Sequence, residues 1–304
     1  MKPDLSIKIA GIEFKNPVML ASGTARYGEE IADYCDLNRI GAIIVKGIAL
    51  KPTPGNSPPR IYETPSGMLN AIGLPNIGAE AFIKEKLPFL KRIDTKVLVN
   101  IFGSTIEEYK DVAQYFNETA GVHGLEVNIS CPNIKEGGIA FGTDLNATRK
   151  VVRAVRGSTK LPLIIKLSTN VTDIASFARV CEEEGADGLS VINTLLGMSI
   201  DTETWRPRLA NITGGLSGPA IRPVAVRMVW QVCKAVRIPV IGMGGIVTAR
   251  DAVEFFLAGA SAVAVGTANF INPCASIGII EGLERYLETK GLNSITELTG
   301  ALRI

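Results

Sequence analysis

The chain has 304 residues, 46% apolar and 20% charged, with a formal net charge of +2. That composition excludes a disordered chain, and a near-neutral balance without a run of five like charges offers nothing to a nucleic-acid backbone. The start, MKPDLSIKIAGIEFKNP, lacks the basic opening and continuous apolar stretch of a signal peptide, and no window reaches the about 18 apolar residues of a membrane span, so a cytoplasmic location is expected.

In chain order, LSIKIAGIEF at 5–14 predicts a small hairpin with Gly11 in its turn. Eight short runs rich in Val, Ile and Ala follow, each bounded by Gly or Pro. They are VMLAS (18–22), AIIVK (42–46), VLVNI (97–101), LEVNI (125–129), LIIKL (163–167), LSVIN (189–193), VIGMG (240–244) and AVAVG (262–266). Such runs fit parallel strands buried on both faces, and helical patterns lie between them, as at 105–120 and at 248–260, where Thr248 is placed to cap. Eight strand–helix units in this order predict an α/β fold, a (β/α)8 TIM barrel filling residues 1–304 as one domain, with the N-terminal hairpin closing its bottom. Two connections, 47–78 and 194–220, are too long for bare turns. Both follow strands, so they are expected at the barrel's C-terminal face as walls of one pocket.

The last positions of those strands carry an unusual polar set. It comprises Ser22, Lys46, Asn100, Asn128 with Ser130 and Cys131, Lys166, and Asn193 with Thr194. A single strand-end Asn can simply tie down loop backbone, but three Asn and two Lys converging inside apolar strands imply a polar group for them to hold. Glu126 lies two residues before Asn128 on the same strand face and is an internal partner open to Lys166, which would not exclude a ligand role for that ammonium. The seventh and eighth strands end in glycine: Gly244 and Gly245, then Gly266 and Thr267, matching the place where such barrels grip phosphate with backbone N–H groups.

Acid–base candidates are few. The one histidine, His123, precedes the fourth strand at the end away from the mouth and reads as structural. The five cysteines are widely spaced with no C-x-x-C, so no disulfide framework or metal site is expected in this chain. Four of them, Cys35, Cys181, Cys233 and Cys274, read as small buried apolar residues. Cys131 differs: it lies just past a strand end and opens a glycine-rich loop, NIKEGGIAFGTD, with the composition of a lid. A thiol near its ordinary pKa of about 8.5 is able to take a proton from a substrate bound over it.

These residues sit in segments that resemble a known family. NAIGLPN (70–76), NISCPN (128–133), INTLLG (192–197), NITGGLSGPAI (211–221), GMGGI and AVGTANF resemble the dihydroorotate dehydrogenases of pyrimidine biosynthesis, in order and across nearly the whole chain. Within that family the sequence looks like class 1B, the NAD-linked two-subunit type. The cysteine at the base position, the absence of a membrane-binding extension, and the AFGTD and NITGGLSGPAI segments favour it.

The resemblance implies oxidation of (S)-dihydroorotate to orotate on flavin mononucleotide (FMN). Cys131 would take the C5 proton while the hydride leaves C6 for the flavin, and electrons would pass to NAD through a partner subunit carrying FAD and an iron–sulfur cluster. It implies a homodimer core within a heterotetramer. Carried over, the flavin contacts are Ser22, Lys46, Gly47, Asn100, Asn128, Lys166, Ile192, Gly218, Gly244, Gly245, Gly266 and Thr267. The substrate contacts are Lys46, Asn70, Ala71, Ile72, Gly73, Leu74, Asn128, Asn193 and Thr194. Lys166 would lie near the flavin N1 edge and stabilise the charge that reduction places there. Other readings stand beside this one: a fumarate-using soluble dihydroorotate dehydrogenase, a dihydropyrimidine dehydrogenase-like flavin barrel, a flavin-free phosphate-binding lyase or isomerase, and a non-catalytic scaffold barrel.

Overall fold

The computed structural model describes residues 2–130 and 141–304. Each of the eight apolar runs becomes a strand: β1 (Val18–Leu20), β2 (Ala42–Ile48), β3 (Lys96–Ile101), β4 (Gly124–Asn128), β5 (Leu163–Lys166), β6 (Gly188–Val191), β7 (Val240–Met243) and β8 (Ala262–Val265). They pair in parallel in chain order, and β8 pairs β1, so the ring is closed. A closed parallel ring covered by helices is buried on both faces, which is why these strands are continuously apolar rather than alternating. Val18, Ile44, Leu98, Leu125, Ile165, Leu189, Ile241 and Val263 are all below 1% exposed.

Helices connect the strands, and their starts are set by capping side chains. The Thr105 side chain accepts from Glu108 N (3.2 Å) to begin Ile106–Phe116, and Asp144 Oδ1 accepts from Ala147 N (2.7 Å) to begin Leu145–Ser158. Thr248 and Asp251 form a reciprocal capping box at Ala249–Leu257. The 105–120 pattern therefore holds from its cap but stops at Phe116, where the chain turns toward β4.

The predicted hairpin pairs Ile7–Ile9 with Ile12–Phe14, turning through left-handed Ala10 and Gly11 (φ 53° and 79°). Ile7, Ile9, Ile12 and Phe14 face inward while Lys8 and Glu13 face out. A Cβ on Gly124, the first residue of β4, would lie 3.2 Å from Ile12 Cδ1, so the hairpin floors the N-terminal end of the barrel. His123 sits at this end. Its Nδ1 accepts from Val97 N (3.0 Å), and burial, reinforced by Lys96, lowers its pKa.

The two long connections do more than wall a pocket. They carry strands Ile61–Thr64, Gly67–Asn70, Leu195–Met198 and Thr213–Ser217, which combine into one four-stranded antiparallel sheet, with Gly215 opposite Asn70. Because β2 and β6 are four strands apart around the ring, this sheet bridges opposite sides of the barrel mouth. Leu69, Ala71 and Leu209 form a small core of its own beneath it. Among the described residues, no helix is long and apolar enough to cross a membrane.

The four cysteines expected to be buried divide. Cys181 is enclosed, whereas Cys35, Cys233 and Cys274 keep partial exposure. Cys35 and Cys274 meet at the surface, where Cys274 Sγ donates to Tyr34 O (3.1 Å) and burial together with the facing thiol pushes Cys35 up to about 12. Cys35 and Cys274 differ from the expectation because both lie outside the regular elements, Cys274 at the residue before Ala275–Lys290, whereas Cys233 lies within helix Arg222–Ala235 and is only partly covered.

Candidate active site

Parallel pairing aligns the polar strand ends. Asn100 on β3 pairs Glu126 on β4, Asn128 pairs Lys166 on β5, and Ser190 on β6 pairs Lys166. Their side chains meet inside the ring. Glu126 Oε1 accepts from Asn100 Nδ2 (2.6 Å) and lies 3.5 Å from Lys166 Nζ, while Oε2 accepts from Ser190 Oγ (2.7 Å). The Lys166 and Glu126 side chains are 7% and 0% exposed, so the pair sets a lysine head group against a carboxylate inside the barrel. Asn100 Oδ1 is buried with no hydrogen-bond partner among the described residues. A buried carbonyl left without a donor costs about 1–3 kcal/mol, which marks a place for something not in the chain to donate.

One step nearer the mouth, Asn128 Oδ1 accepts from Ser130 N (3.3 Å), Ser130 Oγ (3.1 Å) and Asn193 Nδ2 (3.4 Å). Asn193 Nδ2 also donates to Ser130 Oγ (2.7 Å), and Asn193 Oδ1 accepts from Thr194 N (2.8 Å). Tyr109 on the covering helix donates its hydroxyl to Asn128 O (2.7 Å), fixing the strand end. These bonds join Asn128, Ser130, Asn193 and Thr194 into one cluster. Cys131, the expected base, follows Ser130 directly and lies outside the described residues, as does most of the predicted lid.

On β2, Lys46 is half-buried and has no ion-pair partner among the described residues. Burial, then repulsion from Arg26 and Arg60, lowers its pKa. A cation held in that way gains from any anion that approaches it. Next to it, Gly47 leaves space over Asn100: a Cβ there would lie 2.9 Å from Asn100 Oδ1.

The run from Asn70 to Leu74 begins at the last residue of the bridging-sheet strand Gly67–Asn70 and leaves the sheet from there. Asn70 Nδ2 donates to Gly215 O (3.3 Å), and the chain turns through left-handed Gly73 and Leu74 (φ 77° and 53°). Three residues that sequence reasoning passed over hold it: Asn56 Nδ2 donates to Ala71 O (2.9 Å), Thr53 Oγ1 to Leu74 O (2.7 Å), and Asn76 Nδ2 to Thr53 Oγ1 (2.8 Å). The Pro/Gly/Asn content of 47–78 signalled a shaped loop, but not which amides shape it.

The glycine side of the mouth is built by close approach. Gly218 (φ 95°) comes so near Gly67 that a Cβ would sit 2.6 Å from the Gly67 Cα. A Cβ on Gly244 would meet Ala225 Cβ at 2.8 Å, and one on Gly245 would meet Gly218 O at 2.8 Å. Ile192 N donates to Met243 O (3.0 Å) and Thr267 Oγ1 donates to Ser217 Oγ (2.8 Å), tying β6 to β7 and β8 to the bridging sheet. Gly266 and Ser22 stand at the ends of β8 and β1, both part-exposed. Every expected contact residue among the described ones thus lies at the C-terminal end of the ring, in the sheet above it, or just past that sheet's strands. Ser190 and Tyr109 are additions that no sequence signal separates from ordinary strand and helix residues.

Comparison with known proteins gives the same direction over the full length. Residues 4–287 match the family model described as dihydroorotate dehydrogenase. The catalytic subunit of dihydroorotate dehydrogenase B (NAD(+)) from Geotalea uraniireducens is 62% identical over 301 residues, covering 99% of this chain and 99% of that protein. The proteins of the same name from Pelobacter propionicus and Geotalea daltonii are each 61% identical, over 302 and 303 residues, covering 99% and 100% of this chain and 99% of each of those proteins.

Proposed function

The chain belongs to the dihydroorotate dehydrogenase family, and on that footing we propose that it is the FMN-bearing catalytic subunit of a two-subunit, NAD-linked enzyme of the cytoplasm, one domain over residues 1–304. Its reaction is the oxidation of dihydroorotate to orotate in pyrimidine biosynthesis. The observation that carries the cofactor assignment is the buried, unpartnered Asn100 Oδ1 beside a paired ammonium, facing a glycine that leaves it room.

A flavin fits these residues. Its polar ring edges offer donors and acceptors to Asn100, Asn128 and Lys166, and the close-packed Gly218, Gly244 and Gly245 leave backbone rather than side chains toward the mouth. Ser22, Lys46, Gly47, Ile192, Gly266 and Thr267 would complete the holding set, with the phosphate at the ends of β7 and β8. The chemistry a bound FMN supplies is acceptance of the hydride that leaves C6.

The chain's own residues then do the rest. Lys46 neutralises the substrate carboxylate, whose charge opposes the burial and the Arg26 and Arg60 repulsion that lower the lysine's pKa. Asn128 and Asn193 offer amide donors and acceptors to the ring amides of dihydroorotate, with Thr194 beside them and the Asn70–Leu74 run above. Cys131, next after Ser130 in the sequence, acts as the base that takes the C5 proton. Lys166 opposes the negative charge that reduction brings to the cofactor. Electrons leave through a partner subunit with FAD and an iron–sulfur cluster, in a heterotetramer built on a homodimer of this chain. The dependence on a partner agrees with the absence from the sequence of a dinucleotide fingerprint such as G-x-G-x-x-G after a strand.

The test is anaerobic addition of dihydroorotate to the purified protein. A yellow protein that bleaches, releases FMN on denaturation and reduces NAD only with its partner supports the assignment. A colourless protein, or bleaching by reduced pyrimidines that lack a carboxylate but not by dihydroorotate, rejects it.

A further inference from the structure

Glu126 takes no part in the reaction set out above, yet it is fully buried and three strands reach it. Asn100 from β3, Lys166 from β5 and Ser190 from β6 all direct a donor at its two oxygens. The consequence for Asn100 is directional. Turning that amide over would set its oxygen against a carboxylate oxygen at 2.6 Å, so Glu126 fixes the NH2 group inward and leaves Oδ1 as the group presented to the site. Oδ1 is the atom without a partner. The consequence for Lys166 is electrostatic. At 3.5 Å the carboxylate offsets part of the ammonium's charge while leaving N–H donors free for another acceptor.

We propose that Glu126 is a positioning residue for the cofactor: it holds Asn100 as a hydrogen-bond acceptor and Lys166 as a partly neutralised donor, and its charge lowers the reduction potential of the bound flavin. This rests on the functional reading above. A cation beside the reduced ring favours reduction, and a buried anion behind that cation opposes it. Ser190 holds the carboxylate in place through Oε2.

Glu126→Gln tests the charge, because glutamine keeps the size and still accepts from Asn100, while the Ser190 hydroxyl is able to accept from its new amide. The variant should retain flavin and favour the reduced over the oxidised form by about tenfold relative to the parent, a rise of ~30 mV for a two-electron couple. Glu126→Asp keeps the charge but withdraws it from Asn100, so its potential should stay near the parent's while flavin affinity drops by about tenfold. Redox titration and flavin-binding isotherms read both effects. A Glu126→Gln protein that binds flavin with an unchanged potential overturns the inference, as does a Glu126→Asp protein with parental affinity. If Glu126→Gln does not fold, Glu126→Asp decides alone: weaker flavin binding at parental potential supports the inference. A parent protein without flavin overturns the functional reading itself, a result separate from either variant.

Discussion

Replacing Gly47 by alanine should cost both stability and cofactor. The new methyl carbon would lie 2.9 Å from Asn100 Oδ1 and 3.2 Å from Phe102 Cδ1, and neither neighbour is free to yield. Phe102 is 6% exposed, and Asn100 is fully buried and held by its 2.6 Å bond to Glu126. Overpacking of this kind costs about 1–3 kcal/mol, and about 2 kcal/mol is a factor of roughly 30 in the folding equilibrium. Shifting Asn100 to relieve the clash would instead strain a buried hydrogen bond to a charged group, worth about 1.5–3 kcal/mol, so relaxation offers no cheap exit. The same methyl fills the space over Oδ1, so flavin retention through gel filtration should fall with the urea midpoint. Gly278→Ala is the control. Gly278 is exposed within helix Ala275–Lys290 with nothing within 4 Å of a new Cβ, and the change should stabilise by about 0.5–1 kcal/mol. A Gly47→Ala protein that matches the parent within about 0.5 kcal/mol and keeps its flavin would refute the reasoning.

Three further outcomes concern Lys46, His123 and Cys131. The lowered pKa of Lys46 means that the free protein sheds this proton below 10.5, so orotate should bind more weakly as pH rises toward 10.5 and take up a proton on binding there; calorimetry in two alkaline buffers with equal heats would argue against it. His123 is also lowered, from 6.5, so below that pH the unfolded chain holds a proton the native one does not. Stability should fall as pH drops through 6.5, and less so in His123→Gln; parallel urea midpoints for the two proteins would contradict this. Cys131→Ala should keep its flavin but reduce it with dihydroorotate about 10² to 10⁴-fold more slowly, and near-parental stopped-flow rates would remove the thiol from the base role.

The ring was legible because its strands are β-branched runs such as AIIVK, set between Gly41 and Gly47, and VLVNI, and their ends in the fold fall within a residue or two of those runs. The bridging sheet was not. Its inner strands read GMLN and TGGLS, poor in β-formers, and besides pairing with Ile61–Thr64 and Leu195–Met198 they pair with each other across the chain. The polar strand ends were legible because Lys46, Asn100, Asn128 and Lys166 interrupt otherwise apolar strands. The open question over Lys166 resolves to a pairing with Glu126. Ser190 escaped notice because a serine in a strand is ordinary, and Thr53, Asn56 and Asn76 escaped because they act on backbone within one loop.

The sheet over the barrel mouth also sets an order of assembly. Its central pairing joins Asn70 to Gly215 across 145 residues, a loop closure that becomes affordable only after the intervening strands have formed the ring. The mouth is therefore the late and separable cooperative unit of this chain. Amide hydrogens at 67–70 and 213–217 should exchange by sub-global opening while those of β3 and β4 wait for global unfolding. An occupied site couples the two units, so the cofactor's grip reports on the least stable part of the molecule rather than on its core.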